Sequence, residues 1–209
     1  MQSIHQLALA AGLAWASGIR LYAALFILGL VERMGWFSLP PALYILSDPI
    51  VMGASGFMLF VEFFADKIPG VDSLWDAVHT FIRIPAGALL AAGVMGDQNS
   101  AVMIAAAILG GTIASGSHFT KAGTRALINT SPEPVSNWTA SFAEDAAVAS
   151  GLWFMFQYPL LFLALLLVFL LIAIWLIPKL WRGIKRVATR VAILINGNVK
   201  PRTSGYPRP

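Results

Sequence analysis

The chain of 209 residues contains no cysteine and few charged residues. Without cysteine there is neither a disulfide framework nor thiolate chemistry. Charged residues make up 11% of the chain, whereas a soluble domain contains about 25%. Hydrophobic residues make up 58%, and the mean hydropathy is +0.75. This composition excludes a disordered chain, a fibrous protein and an ordinary soluble enzyme, and it predicts an all-α membrane protein.

Cations are scarce outside the C-terminus. Eight of the fourteen lysines and arginines lie beyond residue 178, so the net charge of +4 describes a cationic tail rather than a basic groove. We therefore expect no nucleic-acid partner. The residues before the first apolar stretch, Gln2-Ser3-Ile4-His5, contain no lysine or arginine, which favours a retained first membrane helix over a cleaved signal peptide.

Signatures of catalysis and of metal binding are also missing. The sequence has no His-Glu-x-x-His motif, no Gly-x-Ser-x-Gly elbow and no Gly-x-x-x-x-Gly-Lys phosphate loop. Its three histidines, His5, His79 and His118, fall on separate predicted elements. We expect no catalytic residue, no metal site and no cofactor.

Apolar runs indicate about six transmembrane or re-entrant helices. The clearest is Pro159–Ile177, which has no polar side chain and approaches the roughly 20 residues that cross a bilayer. The others are residues 4–31, 49–61, 84–95, 101–113 and 146–158. With six spans, the lysine and arginine bias places both termini in the cytoplasm.

Two further segments are predicted to lie on the membrane surface. Residues 71–83 carry apolar and charged side chains at helical spacing, which is typical of an interfacial helix, here ending near Pro85. Residues 179–195 follow the integral membrane domain 1–178 and predict a basic amphipathic helix that binds anionic lipid. Residues 196–209 predict a disordered tail.

The tripeptide Ala-Ser-Gly occurs four times, beginning at Ala16, Ala54, Ala114 and Ala149. Each half of the chain holds two copies at nearly matching separation, which favours two repeats, 4–97 and 100–178. Three spans in each repeat would invert the second copy relative to the first, as in many secondary transporters. Small residues are also common wherever membrane helices pack, within one chain or between the chains of a homo-oligomer.

Several segments resemble one protein family. They are Ala16-Ser17-Gly18-Ile19-Arg20-Leu21-Tyr22, Asp66-Lys67-Ile68-Pro69-Gly70-Val71-Asp72 with Trp75-Asp76, and Ala114-Ser115-Gly116-Ser117 with Asn129-Thr130-Ser131-Pro132-Glu133-Pro134. Over residues 5–180 the chain resembles the multi-pass membrane family known as domain of unknown function 4126. The resemblance implies a bacterial-type integral membrane protein, expected in the inner membrane, and brings with it no activity, cofactor or catalytic residue.

Arg20 is the most informative residue, because a guanidinium stays charged and is costly inside a bilayer. Its candidate partners are Glu62, Asp66 and the pair Glu144-Asp145. Arg20 either binds an anion or a gating carboxylate, or forms a permanent ion pair that fixes helix packing. Glu62 lies in an apolar run and is expected to be paired or protonated. Asp66 and Asp145 are expected at the membrane interface.

A second polar stripe lies on the fourth predicted span, where His118, Lys121 and Arg125 follow helical spacing. One interpretation is that they line a path for an anion together with Arg20. For Lys121 and Arg125 the preferred interpretation is a cytoplasmic helix end, whereas for His118 the two are evenly balanced.

The expected substrate site lies near the membrane midplane, at the interruptions Ser17-Gly18 and Ser115-Gly116. These observations favour a transporter or lipid-translocating protein for an anionic solute or headgroup. A non-transporting membrane scaffold or assembly factor is the alternative, and an intramembrane enzyme is the second alternative. The expected site residues are Arg20, Ser17, Gly18, Glu62, Ser115, Gly116, His118 and Glu144.

Overall fold

The computed structural model describes residues 2–130 and 134–196, which form six α-helices and one 3₁₀ helix. The helices are α1 (Gln2–Arg33), the 3₁₀ helix (Pro41–Ser47), α2 (Pro49–Ala65), α3 (Val71–Val94), α4 (Ser100–Ile128), α5 (Pro134–Gln157) and α6 (Pro159–Asn196). These residues contain no strand, which confirms the all-α prediction. Residues 197–209 of the predicted tail lie outside the described part of the chain.

Local sequence determines where several helices begin. The Asp48 carboxylate accepts a hydrogen bond from the Ile50 amide (2.8 Å) at the start of α2, and the Asn99 side chain accepts one from the Val102 amide (3.0 Å) at the start of α4. Proline occupies the first position of α2, α5 and α6, where no amide hydrogen is needed. Gly70 precedes α3 with a φ of 86°, a left-handed conformation that favours glycine.

Four helices are long and apolar enough to cross a membrane, namely α1, α3, α4 and α6. The 3₁₀ helix and α2 meet at 67° and make a fifth candidate span when they are taken together. These helices support the prediction of a membrane protein, whereas the count of six spans is not confirmed.

The N-terminal half of α3 turns its charged side chains into the bundle and its apolar side chains outward. Asp76 and Arg83 are buried, whereas Leu74 and Phe81 are 67% and 83% exposed. An outer surface of this kind fits a hydrocarbon solvent rather than water. The prediction of an interfacial helix that ends near Pro85 is therefore wrong, because α3 continues through this proline and packs its charged face inside the protein.

The helix α1 is broken at Arg20. The backbone there has a φ of −142° and a ψ of 74°, which are not helical values. The break divides α1 into a first half, residues 2–19, and a second half, residues 21–33.

The two halves of α1 fold back beside each other. Along α5, the ring of Trp15 in the first half packs against Gly151, and Ala23 in the second half lines a groove with Val148. Gly151 and Val148 both lie on the C-terminal side of Glu144 and Asp145, the residues of α5 that bind Arg20. Both halves of α1 therefore extend from Arg20 in the same direction along α5.

The two ends of α1 also lie close together. The Leu39 amide donates a hydrogen bond to the Glu32 carboxylate (2.5 Å), and Leu39 lines one cavity with His5 and Leu9. In a straight helix, Leu9 and Glu32 would be about 34 Å apart at 1.5 Å per residue. The helix α1 is therefore a hairpin that starts and ends at the same end of the bundle, with Arg20 at its tip.

The other long helices run between the two ends of the bundle. The tip of α1 shares one end, here called the charged end, with the α2–α3 turn, the end of α4 and the start of α5. The opposite end, here called the N-terminal end, holds the start of α1 and the α3–α4 connection. The helix α6 passes from Phe162 beside Gly12 to Gly183 beside Leu127, so its C-terminal part reaches the charged end.

This course of the chain differs from the one that the predicted sidedness assumed. The start of α1 and the end of α6 lie at opposite ends of the bundle, whereas both termini were predicted on one side. That prediction assumed that α1 crosses once, whereas a hairpin returns to the end from which it starts. The helix α6 continues as one helix through Pro178, where the predicted membrane domain ends.

The predicted inverted repeat is not confirmed. Leu7 lies near Val102 and Gly18 lies near Ser117, so the first half of α1 runs parallel to α4. An inverted repeat would place these corresponding helices antiparallel.

The hairpin predicts that Ser38 and Thr189 face opposite sides of the membrane, because they lie at opposite ends of the bundle and are both exposed. The chain has no cysteine, so Ser38→Cys and Thr189→Cys each supply a single site for a membrane-impermeant maleimide. We expect one variant to be labelled in intact cells and the other only after permeabilisation. Labelling of both variants from the same side would contradict this course of the chain.

Candidate functional site

A network of buried charges fills the charged end of the bundle. Its eleven members come from every α-helix except α6 and from the α2–α3 turn. The carboxylates are Glu62, Asp66, Asp72, Asp76, Glu144 and Asp145, and the cations are Arg20, Lys67, Arg83, Lys121 and Arg125. We call this set the ion network.

Arg20, at the tip of the α1 hairpin, is fully buried and is surrounded by three carboxylates. Its guanidinium lies 2.6 Å from Asp66, 3.0 Å from Asp145 and 3.5 Å from Glu144. It also donates hydrogen bonds to the backbone oxygen and the hydroxyl of Ser141, at 3.1 and 2.9 Å. The break in α1 therefore delivers one cation to acids of two other chain segments.

Lys121 of α4 occupies the middle of the network. Its ammonium lies 3.0 Å from Asp66, 3.4 Å from Asp76, 3.5 Å from Glu144 and 3.8 Å from Glu62. It also donates a hydrogen bond to the carbonyl of Ile19 (3.2 Å), beside the break in α1. Lys121 thus holds the tip of the hairpin against α4.

Arg83 and Arg125 bind the flanks of the network. Arg83 pairs with Glu62 and, at 2.7 Å, with Asp76. Arg125 makes two parallel hydrogen bonds of 2.9 Å to Glu144, the bidentate geometry that suits a guanidinium and a carboxylate. These two arginines join α3 to α2 and α4 to α5.

Polar side chains extend the network toward the surface. Asn129 donates to Asp72 (2.7 Å), and Asn137 donates to Asn129 (2.9 Å). Lys67 lies 3.0 Å from the centroid of the Phe63 ring, a cation–π contact that compensates part of its burial.

The two histidines at the network are held by neighbouring side chains. His79 shares a hydrogen bond of 3.0 Å with the Tyr22 hydroxyl and stacks on Trp75, with ring centroids 4.1 Å apart. His118 shares a hydrogen bond of 2.7 Å with the Thr80 hydroxyl. Within residues 2–130 and 134–196, no group of three histidine or acidic side chains is placed to hold a metal ion.

The pKa of Asp66, in the turn after α2, is set by two opposing effects, its burial and the nearby cations. Burial raises this pKa, but the nearby ammonium of Lys121 and guanidinium of Arg20 outweigh the effect and hold it below its ordinary value. Asp66 is therefore a carboxylate in the folded protein, and its charge stabilises the fold.

An apolar groove leads from the outer surface to the network. It lies between the second half of α1, α2 and α5, and its lining includes Ile27, Phe60 and Ala149, with Asp145 as its one charged residue. The side chain of Asp145 is 30% exposed, and its carboxylate lies 3.0 Å from Arg20. A single side chain therefore separates the buried guanidinium from the groove.

The structure brings together most of the residues expected from the sequence. Arg20, Glu62 and Glu144 belong to the network, with Glu62 paired to Arg83 rather than to Arg20. Ser17 donates to the Arg83 carbonyl at 2.7 Å. A Cβ on Gly18, next to it, would lie only 2.9 Å from the backbone nitrogen of His118, so α1 and α4 are in close contact there.

Ser115 and Gly116 do not join the site. The Ser115 hydroxyl donates to the Gly111 carbonyl of its own helix (2.7 Å), and Gly116 faces Leu170 of α6. The second interruption expected from the repeat is thus a packing surface.

Three of the charged residues are buried and paired. Lys121 and Arg125, expected at a cytoplasmic helix end, lie toward the end of α4 and are buried among carboxylates. Asp66, expected at the membrane interface, lies in the α2–α3 turn and is fully buried beside Arg20.

Asp72, Asp76 and Arg83 were missed as site residues. Their sequence signal is the spacing of residues 72, 76, 79 and 83, which places four polar side chains on one face of α3.

Charged side chains gathered inside apolar helices, around the tip of a broken helix, define a helical membrane protein with an internal ion network. The chain belongs to the family described as Domain of unknown function (DUF4126), which matches residues 7–179. The resemblance drawn from the sequence is thereby confirmed, and the whole ion network lies inside the matched region. Neither the curated proteins nor the solved structures contain a match to the chain.

We expect Arg125→Gln to destabilise the protein by about 1.5–3 kcal/mol, because Glu144 loses its bidentate partner but keeps Arg20 and Lys121, each 3.5 Å away. The double variant with Glu144→Gln should lose less than the sum of the two single losses, since neither charge remains unpaired. Thermal unfolding in detergent measures all three variants. Arg33→Gln, at an exposed position, is the control, and additive losses would contradict direct coupling.

The lowered pKa of Asp66 makes its contribution to stability depend on pH. The contribution is fully present above the ordinary aspartate pKa of about 4. It is lost as the pH falls from there through the lower pKa that Asp66 has in the folded protein. The gap in melting temperature between wild type and Asp66→Asn should therefore be constant from neutral pH to about pH 5 and shrink below about pH 4. A gap that widens on acidification would contradict this assignment.

Proposed function

We propose that the protein is a transporter or lipid-translocating protein for an anionic solute or an anionic lipid headgroup, with Arg20 as the residue that binds the anion. The observation that carries the proposal is the position of Arg20 at the tip of the broken helix, in contact with three carboxylates of other segments. Discontinuous helices that meet at a charged site are a recurring device of membrane transporters.

The anion binds by exchange with a carboxylate. An additional negative charge beside Asp66, Glu144 and Asp145 would be repelled, and an uncompensated charge in the bundle is costly. Asp145 is the partner best placed to leave, because it is the most exposed of the three and lines the apolar groove. If Asp145 takes up a proton as the anion binds, the net charge around Arg20 is unchanged.

The hairpin supplies the element that moves. Its two halves are separated by the break at Arg20, and its tip is held to the bundle by salt bridges and by Lys121 on the Ile19 carbonyl. When the anion replaces Asp145, the contact between the tip and α5 changes while the contact with α4 remains. The second half of α1 can then shift relative to the first, which opens one side of the site.

Anion binding is tested by the melting temperature of the purified protein with phosphate, carboxylates, nucleotides and lipid phosphate headgroups, because a ligand of the folded state stabilises it. We expect Asp145→Asn to bind the anion about tenfold more tightly than wild type, since a coupling of about 1.4 kcal/mol gives a factor of ten. The variant removes the carboxylate that competes for Arg20. Arg20→Gln should abolish the shift.

Arg33→Gln is the matched control, because Arg33 is an exposed arginine at the opposite end of the bundle and should leave anion binding unchanged. If no anion stabilises wild type or Asp145→Asn, then Arg20 is part of a structural ion pair and the proposal is wrong. If Arg20→Gln does not fold, the comparison of wild type with Asp145→Asn still tests the proposal.

A membrane scaffold or assembly factor is the second candidate function. It is supported by the pairing of Arg83, Lys121 and Arg125 with carboxylates, since such pairing can serve helix packing alone. Deletion of residues 179–209 separates the two functions. A transporter keeps its anion flux into liposomes after the deletion, whereas a scaffold that uses the basic C-terminus loses its partner.

A further inference from the structure

The C-terminal part of α6 carries a cluster of positive charges. Its cations are all exposed, and they are Lys179, Arg182, Lys185, Arg186 and Arg190. No aspartate or glutamate follows Asp145 in the sequence. Among the described residues, every ion pair belongs to the ion network, and none reaches these five side chains. We call Lys179–Arg190 the basic segment.

The length of α6 places the basic segment at the level of lipid headgroups. The apolar run Pro159–Ile177 precedes it and would measure about 28 Å, close to the roughly 30 Å of a hydrocarbon core. Lys179 and Arg182 then lie within the headgroup layer. Arg190 lies about 12 Å beyond Arg182 along the helix, slightly more than the Debye length of roughly 8–10 Å, so its attraction to that layer is partly screened.

Two tryptophans mark the same level. Trp175 and Trp181 are 61% and 59% exposed, and such rings favour the membrane interface. The Lys179 ammonium lies 2.9 Å from the centroid of the Trp175 ring, and the Lys185 ammonium lies 5.3 Å from that of Trp181. Each ring thus holds a lysine beside the surface where phosphates lie.

Packing fixes the basic segment to the charged end of the bundle. Leu180 is buried against Gly123 of α4, and Gly183 faces Leu127 near the end of the same helix. These contacts use the inner face of α6 and leave its cations on the outside. The segment is therefore a fixed surface rather than a free tail.

We propose that the basic segment binds the phosphates of anionic phospholipids, independently of the anion site at Arg20. A lipid partner fits better than a nucleic acid, because the cations begin directly after a membrane-length apolar run and alternate with interfacial tryptophans. The leaflet that the segment contacts is the cytoplasmic one, toward which lysine and arginine are biased. The charged end then faces the cytoplasm, and the N-terminal end, with Arg33 among Glu32, Asp48 and Asp97, faces the opposite side.

The test is a titration of the full-length protein in neutral detergent with short-chain phosphatidylglycerol and, in parallel, with phosphatidylcholine of the same chain length. We expect the melting temperature to rise with the anionic lipid and not with the zwitterionic one. Replacement of one cation by glutamine should weaken the affinity for phosphatidylglycerol about fivefold. The loss should be largest at Lys179 and Arg182 and smallest at Arg190, because attraction falls with distance from the headgroups.

A charge-conserving variant, with lysine in place of Arg182, Arg186 and Arg190, should keep the response. Binding to an anionic lipid surface depends on positive charge, and lysine keeps that charge. The proposal is overturned if both lipids stabilise equally, or if the variant with glutamine at all five positions shows the full response of wild type. Stabilisation by a short RNA without a response to phosphatidylglycerol would identify a nucleic-acid partner and also overturn it. Labelling of Thr189→Cys in intact cells would overturn the assignment to the cytoplasmic leaflet.

The glutamine variants lie outside the ion network and should leave anion binding at Arg20 unchanged. Failure of the lipid proposal is therefore separable from failure of the transporter proposal.

Discussion

The burial of Arg20 is the constraint on which the rest of the structure depends. A guanidinium that cannot lose its charge must find carboxylates inside the bundle, and it finds Asp66, Glu144 and Asp145. To bring them together, α1 breaks at its tip, the α2–α3 turn points inward and the polar first half of α5 packs against the hairpin. The outer surface is left to apolar side chains. The charges of the ion network thus lie in the interior, and side chains that are compatible with hydrocarbon lie on the outside.

The same network offers more than one way to pair its charges. Lys121 lies within 4 Å of four carboxylates, and Glu144 is shared among Arg20, Lys121 and Arg125. A cation with several acceptors can lose one of them without being left unpaired, so a local exchange costs less than the rupture of an isolated buried pair. This redundancy makes the site compatible both with rigid packing and with the exchange proposed for transport.

The sequence predicted the helical class, Arg20 and its partners, because charged residues within apolar runs are conspicuous. It did not predict the role of Arg83, since the spacing of residues 71–83 shows an apolar face without showing whether that face meets a membrane surface or surrounding lipid. The hairpin was also missed. No proline marks its tip, and the break is stabilised by contacts distant in sequence, such as Lys121 on the Ile19 carbonyl. Such tertiary contacts leave no local pattern.

The hairpin has a consequence for the order of biosynthesis. Synthesis begins at the N-terminus, so Arg20 leaves the ribosome well before Asp66 and long before Glu144 and Asp145. Until those acids arrive, the tip of α1 has no partner for its charge and cannot settle at its final depth. The first element of the chain is therefore among the last to reach its native position. The native position of α1 thus depends on partners in the α2–α3 turn and in α5, both of which are synthesised after it.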